Sequence, residues 1–438
     1  MVDPADRPAQ LVLANFASAL AVDLSEHVVL QKWATQAPRE VWLLRPGDLL
    51  VTPVRPSEAF LKAACGLLGM APADVDIVTV PDLPGLAMAD SVRRAGLLPV
   101  LARWAHERPG ARLLPVALDT PTALLARELG IGMAPYPDEA PPTPRTVAAV
   151  RELNTKSGFR TAARDLGIRI PPGETCAAAD LPDVIRDALG VHGGVAVKPD
   201  RAAGGHGLRF LTEPETEPEA DPEVGAESGA APTLTSAPVR AANRWVVERL
   251  IPHRWSLSAQ FTVEGSSTHW DFDGSMTVHD GAFTGYRSPS PVPRAAGELR
   301  EWGALFGRHL AARGYHGPFG LDALLAEDGS TLYATEANVR RTATTTPYAL
   351  VRRLAAAGQR SDAAWHTGHT PGGPDASFEQ TNTLLTEAGL TYDPDTGEGV
   401  VLYADVSSGV PVRYLVVAAT TERAAELEGD ARRLLNGR

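Results

Sequence analysis

Residues 317–347, GPFGLDALLAEDGSTLYATEANVRRTATTTP, constrain the fold more than any other stretch of the chain. They read as two short strands, 319–325 and 331–334, turned at Glu327, Asp328 and Gly329, where the Asp-Gly pair suits a tight hairpin. Asp322 lies on the first strand among apolar neighbours, and Glu336 and Asn338 follow the second with one residue between them. Positions two apart in extended chain face the same way, so Glu336 and Asn338 point at one spot that Asp322 approaches from the neighbouring strand. Three oxygen donors without His or Cys suit Mg2+, which keeps waters and completes its shell with phosphate oxygens. Arg340 continues the parity and sets a fixed positive fork beside the donors. The bland alternative stays open, since a carboxylate on a strand and polar residues after a hairpin also make ordinary surface.

A chain of 438 residues is too long for one core, and about two to four domains are expected. Hydrophobic content of 44% is ample for packed cores, and a net charge of -12 argues against general affinity for nucleic acid or an anionic membrane. Cys65 and Cys176 are far apart in small or apolar surroundings, so neither a disulfide framework nor a thiolate metal site follows. No apolar run reaches the roughly 18 residues needed to span a bilayer, and the N-terminus MVDPADRPAQ does not read as a leader. The expected setting is the cytoplasm.

Residues 1–144 read as an α/β domain. Short apolar runs at 11–16, 41–44, 76–80 and 113–118 have strand length. Helical patterns fall between them at 57–68 and at 91–107, with Val92, Leu97, Val100, Leu101 and Trp104 apolar. That alternation implies a mostly parallel sheet. The loops Pro46-Gly47-Asp48 and Pro81-Asp82 fall at strand ends, where open sheets bind ligands or merely turn. No GxGxxG fingerprint occurs there.

After a Pro-rich bridge at 135–144, a helix starting near Pro144 carries Asn154, Thr155 and Lys156, then Phe159, Ala162, Ala163 and Leu166, and stops at Gly167. Residues 194–200, GVAVKPD, form an apolar strand with Lys198 embedded. Gly204, Gly205, His206 and Gly207 then turn the chain into a returning strand at 208–211. Such a turn lets backbone amides close on phosphate oxygens, and a buried ammonium just before it calls for an anion. No Walker motif is present. Residues 213–238 lack aromatics and read as a disordered acidic insertion, after which strands are expected at 245–251 and 256–263.

In this order, Lys156 in NTK-x-x-x-F, Lys198-Pro199 before GGHG, VVERLI, then LD and E-A-N-V-R, the motifs resemble ATP-grasp carboxylate-amine ligases across residues 150–350. The whole chain is more particularly similar to the peptide-ligase branch typified by the pheganomycin ligase. That likeness rests on the N-terminal domain, on Arg340, Arg341, Thr344, Thr345 and Pro347, and on GVVLY at 399–403. The resemblance implies an α/β (α+β) ATP-grasp fold with an N-terminal Rossmann-like pre-ATP-grasp domain. Domains of 1–144, 145–250 for the lid and nucleotide-binding subdomain, 251–362 for the metal-bearing core and 363–438 for a closing lobe are expected.

It also implies roles. Lys156 and Lys198 would contact ATP phosphates, Gly204, Gly205, His206 and Gly207 would form the lid turn, and Glu248 would face the adenine amino group. Leu250 would contribute adenine contacts. Asp322, Glu336 and Asn338 would hold two Mg2+ ions with Glu336 shared, while Arg340 and Arg341 would serve catalysis. His253, Arg254 and Trp255 stand where relatives often carry a ribose-binding glutamate, and TATTTP lacks expected glycines, so sugar and acceptor contacts depart from the pattern. The implied reaction joins a carboxylate to the amine of an amino acid or peptide through an acyl phosphate, in natural-product biosynthesis. The alternatives are a small-molecule kinase that stops after phosphoryl transfer and a nucleotide-binding regulator. Small-molecule substrates are the expected partners, and a homodimer stays open.

Residues 271–274 and 281–293 read as loop-rich, with Arg287 either a substrate contact or a solvated arginine. His366 and His369 lie three apart but make a poor zinc pair without cysteine. Strands at 398–406 and 410–418 and a helix at 421–435 complete the expected C-terminal lobe.

Overall fold

The computed structural model describes residues 7–20, 24, 27–81, 83, 85–202, 204–212, 243–279, 282–358 and 363–437, so the acidic segment 213–238 lies outside the described residues. Near the N-terminus, five strands form a wholly parallel sheet: β1 Gln10–Leu13, β2 Leu49–Thr52, β3 Asp76–Thr79, β4 Arg112–Pro115 and β5 Gly132–Met133. Their order β3-β2-β1-β4-β5 is that of a doubly wound sheet. The run at 41–44 departs from its expected strand. Residues 41–43 lie in the 3-10 segment Ala37–Leu43, which Leu44 caps, and the strand comes later, at β2. Contacts decide this: Trp42 Nε1 donates to the Tyr403 carbonyl at 2.7 Å, and Arg353 Nη1 donates to the carbonyls of Trp42 and Leu44 at 3.0 and 2.7 Å. The helix expected at 91–107 breaks into Met88–Arg94 and Leu98–His106 around Gly96, whose φ of 70° ends the first.

The helix expected from Pro144 likewise divides, into Pro144–Leu153 and Lys156–Asp165, because the Thr155 hydroxyl accepts from Gly158 N and starts a new helix. Next comes a four-stranded sheet of β6 Gly173–Ala177, β7 Gly194–Pro199, β8 Arg209–Thr212 and β9 Arg244–Arg249, in the order β6-β9-β7-β8. The helix Leu181–His192 covers one face, over a small core of Cys176, Val195, Val197, Trp245 and Val247.

The remaining strands build one eight-stranded sheet: β10 His253–Glu264, β11 Ser267–His279, β12 Ala282–Ser288, β13 Gly317–Ala326, β14 Leu332–Asn338, β15 Ala364–Thr370, β16 Gly399–Leu402 and β17 Val412–Ala418. Their order is β14-β13-β10-β11-β12-β15-β17-β16. Strands β11 and β12 occupy part of the stretch expected to be loop, a long alternating hairpin whose polar positions hide its strand character. Alternation along β10 buries Leu257, Ala259, Phe261 and Val263 against the helix Pro293–Ala311, leaving Ser256, Ser258, Gln260 and Thr262 on the opposite face. Gly303 makes that packing possible, since a Cβ there would lie 1.9 Å from the Phe261 ring. Two large cores each join the N-terminal sheet to the eight-stranded one. No helix among the described residues is long and apolar enough to cross a membrane.

Gly173 on β6 has φ 154° and faces β9 so closely that a Cβ would lie 2.3 Å from the Val247 carbonyl oxygen. Gly173→Ala should destabilise the protein by about 1–3 kcal/mol. Denaturant titration checks this, and an unchanged midpoint refutes it.

Candidate active site

In the β13–β14 hairpin, Asp322 pairs with Glu336 and Gly320 with Asn338. The register slips between Asp322 and Ala323, leaving Thr335 as the extra residue of a β-bulge. Before the slip Leu332 and Ala334 are buried in the core; after it Ala337 and Val339 are. A regular strand would keep 332, 334, 336 and 338 on one face and drive Glu336 into the core. The bulge instead turns Glu336 and Asn338 to the side of Asp322. Asn338 Nδ2 donates to Asp322 Oδ2 at 3.1 Å and to Glu336 Oε1 at 3.3 Å. Arg340 follows, with Nη2 donating to Asn338 Oδ1 and Nη1 to Asn154 Oδ1, each at 2.7 Å.

Beneath this group, Ser258 of β10 pairs with Asp322, and Gln260 Nε2 donates to Ser258 Oγ at 3.1 Å. Gly320 leaves room for that amide, since a Cβ there would sit 2.4 Å from Gln260 Nε2. Burial, then the neighbouring Glu336 carboxylate, pushes the Asp322 carboxyl up to about 8. Burial also opposes ionisation of Glu336, but Lys156 and Lys198 together hold it below its ordinary range. The cost of burial is visible on the cations as well, lowering Lys156 and Arg340 while Glu336 works against that shift.

Lys156 opens its helix with Nζ 3.8 Å from Glu336 Oε2 and donates to the Ala202 carbonyl at 2.9 Å. Asp200 fixes the helix start, its carbonyl accepting from Lys156 N at 3.0 Å and its Oδ1 from Ser157 N at 2.8 Å. Lys198 pairs with Val246 across β7 and β9, which puts it diagonally beside Glu248 on the same face. Their side chains form an ion pair. Arg160, one helical turn beyond Lys156, binds the other Glu248 oxygen at 2.7 Å and the carbonyls of Pro171 and Gly173 at 3.0 and 2.9 Å. Glu248 is thus buried between two cations. Leu250 follows at the strand end, its N–H donating to the Gly194 carbonyl at 2.9 Å. Gly204, Gly205 and Gly207 take φ of 64°, 80° and 72°, making with His206 a turn that a chain of larger residues would resist.

Asp322, Glu336, Asn338, Arg340 and Lys156 therefore meet, with Lys198 close enough for its charge to act on Glu336 and Lys156. Arg341 turns elsewhere, to Glu40 and to Thr346 Oγ1 at 2.8 Å. Arg287 donates to Glu428 Oε2 at 3.1 Å, an oxygen shared with His366 Nδ1 at 2.9 Å. Sequence reasoning did not single out Arg160, Asp200, Ser258 and Gln260, nor the hold of Asn154 on Arg340. One signal was present for the lysines: the chain has only four, at 32, 62, 156 and 198, and otherwise uses arginine.

Among the described residues there is no cluster of three or more His, Cys, Asp or Glu side chains suited to a metal. The donor set is two carboxylates and an amide, all oxygen, as a hard cation prefers. Burial first, and the Glu336 charge second, raise Asp322, so a positive charge between the two carboxylates would favour its ionised form. Both observations fit Mg2+, which Asp322, Glu336 and Asn338 would hold.

Residues 37–131 match the Pre ATP-grasp domain and residues 382–431 the PGM1 C-terminal domain. No curated protein matches the sequence. Among solved structures, N5-carboxyaminoimidazole ribonucleotide synthetase from Thermus thermophilus is 14% identical with a TM-score of 0.55, covering 98% of each chain. The biotin carboxylase domain of 2-oxoglutarate carboxylase from Hydrogenobacter thermophilus, solved with MgADP, ADP and bicarbonate, is 12% identical with a TM-score of 0.56, covering 97% of this chain and 89% of its own. N5-carboxyaminoimidazole synthase from Aspergillus clavatus, solved with ADP and its ribonucleotide, is 11% identical with a TM-score of 0.54, covering 99% and 100%. The chain has an α/β ATP-grasp fold. Its N-terminal parallel sheet is a Rossmann-like pre-ATP-grasp domain.

The folded state holds the Asp322 proton more tightly than the unfolded chain, so this group's contribution to stability falls as pH rises from the ordinary carboxylate range to about 8. Mg2+ would displace that proton, and its apparent affinity should strengthen over the same rise. Thermal-shift titrations with MgCl2 from about pH 6 to about pH 9 check this; an affinity independent of pH contradicts it.

Proposed function

We propose that the chain is an ATP-dependent ligase that joins a carboxylic acid to an amine through an acyl phosphate, releasing ADP and phosphate. More narrowly, it forms peptide bonds in natural-product biosynthesis, acting on small molecules in the cytoplasm. The observation that carries this reading is the gathering of Asp322, Glu336 and Asn338 with Lys156 and Arg340 on one sheet face. The narrower branch draws support from the C-terminal match, which contains the GVVLY segment.

Asp322, Glu336 and Asn338 would hold two Mg2+ ions, with Glu336 shared, and bound Mg2+ supplies neutralising charge between phosphate oxygens and carboxylates. Lys156 and Lys198 neutralise the triphosphate, and Lys198 divides its charge between phosphate and Glu248. The adenine would lie near Glu248 and Leu250, with Glu248 positioned by Arg160. Arg340, fixed by Asn154, offers donors to the transferred phosphoryl group. The acid's carboxylate oxygen bonds to the terminal phosphorus as the bridging P–O bond breaks and ADP leaves. The amine nitrogen then bonds to the acyl carbon, the C–O bond to phosphate breaks, and the nitrogen gives up a proton. The turn containing Gly204, Gly205, His206 and Gly207 keeps water from the acyl phosphate.

Phosphate release should require both an acid and an amine, with an amide in the mass spectrum. A phosphorylated product from one substrate alone would instead mark a kinase. Glu336→Gln should lower kcat by about 10²–10³-fold without loss of folding. A variant that turns over at the parent rate would remove Glu336 from the site.

A further inference from the structure

At the seam between the N-terminal domain and the end of β14, Arg39 and Arg341 are 3% and 6% exposed and share a single buried carboxylate, that of Glu40. Arg341 Nη2 binds Glu40 Oε2, and Thr346 Oγ1 donates to Glu40 Oε1 at 2.9 Å, so both Glu40 oxygens have partners. Arg39 Nε lies 3.7 Å from Glu40 Oε1, too far for a hydrogen bond. Its Nη1 donates to Gln36 Oε1 at 3.0 Å, and its guanidinium sits 4.7 Å above the Phe16 ring. Arg39 Nε and Arg341 Nη1 are both buried without a hydrogen-bond partner among the described residues. Two guanidinium charges face one carboxylate, and half-buried Arg413 on β17 adds to the positive field at Arg39. A buried positive excess with open donors is costly unless an anion meets it.

We propose that Arg39 and Arg341 form a subsite for the free carboxylate of the amine-bearing substrate. This deepens the ligase reading and rests on it. The acid to be activated is consumed beside Asp322 and Glu336, so an acid held here is a second one, and an acceptor amino acid or peptide carries it. Arg39 and Arg341 exceed Glu40 by one charge, Arg413 adds to that excess at Arg39, and the two open donors, one on each guanidinium, suit the two oxygens of a carboxylate. Arg340 and Arg341 are adjacent, so the subsite borders the phosphoryl-transfer face while pointing away from it. Access requires the segment Ala37–Leu43 to part from Arg341 and from the helix Thr345–Ala357, whose Thr346 and Arg353 hold it.

The test measures binding to the full chain by thermal shift and equilibrium dialysis. The probes are alanyl, leucyl and phenylalanyl dipeptides with free or amidated C-termini, inorganic phosphate, and a nonhydrolysable ATP analogue with Mg2+. Free acids should bind at least about tenfold more tightly than amides. Arg39→Gln should abolish that preference while leaving the nucleotide response intact, and Arg39→Lys should restore part of it. Acids and amides that bind alike, a panel that gives no response, a preference for phosphate, or Arg39→Gln that still prefers acids would each overturn the subsite. The comparison of acid with amide on the parent protein stands even if Arg39→Gln does not fold. A carboxylate preference without acid- and amine-dependent phosphate release would retain the subsite and sink the ligase reading. Release without that preference would do the reverse.

Discussion

Two carboxylates that repel each other in a poorly solvated patch of sheet set the terms for everything around them. Asp322 and Glu336 are register partners, so neither can move away without breaking the β13–β14 ladder. The conflict is settled by position: Glu336 is placed among lysines and stays ionised, whereas burial and the Glu336 charge leave the proton on Asp322 in spite of its bond to Ser258. A pair of chemically similar groups is thereby made unequal by its surroundings.

The cations come from separate parts of the chain, and each is held by something other than the carboxylates. Lys156 is anchored by the helix cap at Thr155 and by Asp200, Arg340 by Asn154, and Lys198 by Glu248 with Arg160 behind it. Preorganised charge of this kind needs little rearrangement when a polyanion arrives, and that is where such sites gain most of their effect. The four-stranded sheet that carries Lys198 is small and has its own core.

Much of this was readable from residue types alone, and the limits have physical causes. The parity of Glu336, Asn338 and Arg340 followed from strand geometry, but the bulge at Thr335 that makes that parity face the right way shows only as a phase change in small and apolar residues, Leu332 and Ala334 before it and Ala337 and Val339 after it. Lys198 in an apolar strand signalled a buried charge; Arg160, which shares its partner Glu248, lies on a helix 38 positions earlier and left no local pattern. The 3-10 segment around Trp42 was misread because apolar runs of four residues do not distinguish strand from other buried chain, and its conformation depends on Tyr403 and Arg353, hundreds of positions away. Arg341 stands next to Arg340 in sequence and yet serves the seam with Glu40, a divergence that only tertiary contacts decide.

Strands β15 and β17 extend the same sheet that carries β13 and β14, with β12 as the link. During synthesis, β12 therefore waits with an open edge until residues 364–370 emerge, and those in turn wait for 412–418. Unpaired edges of that sort invite pairing with the wrong chain. The nascent protein thus carries its site residues on a sheet whose β12 edge stays open to mispairing until residues 364–370 and then 412–418 have been made.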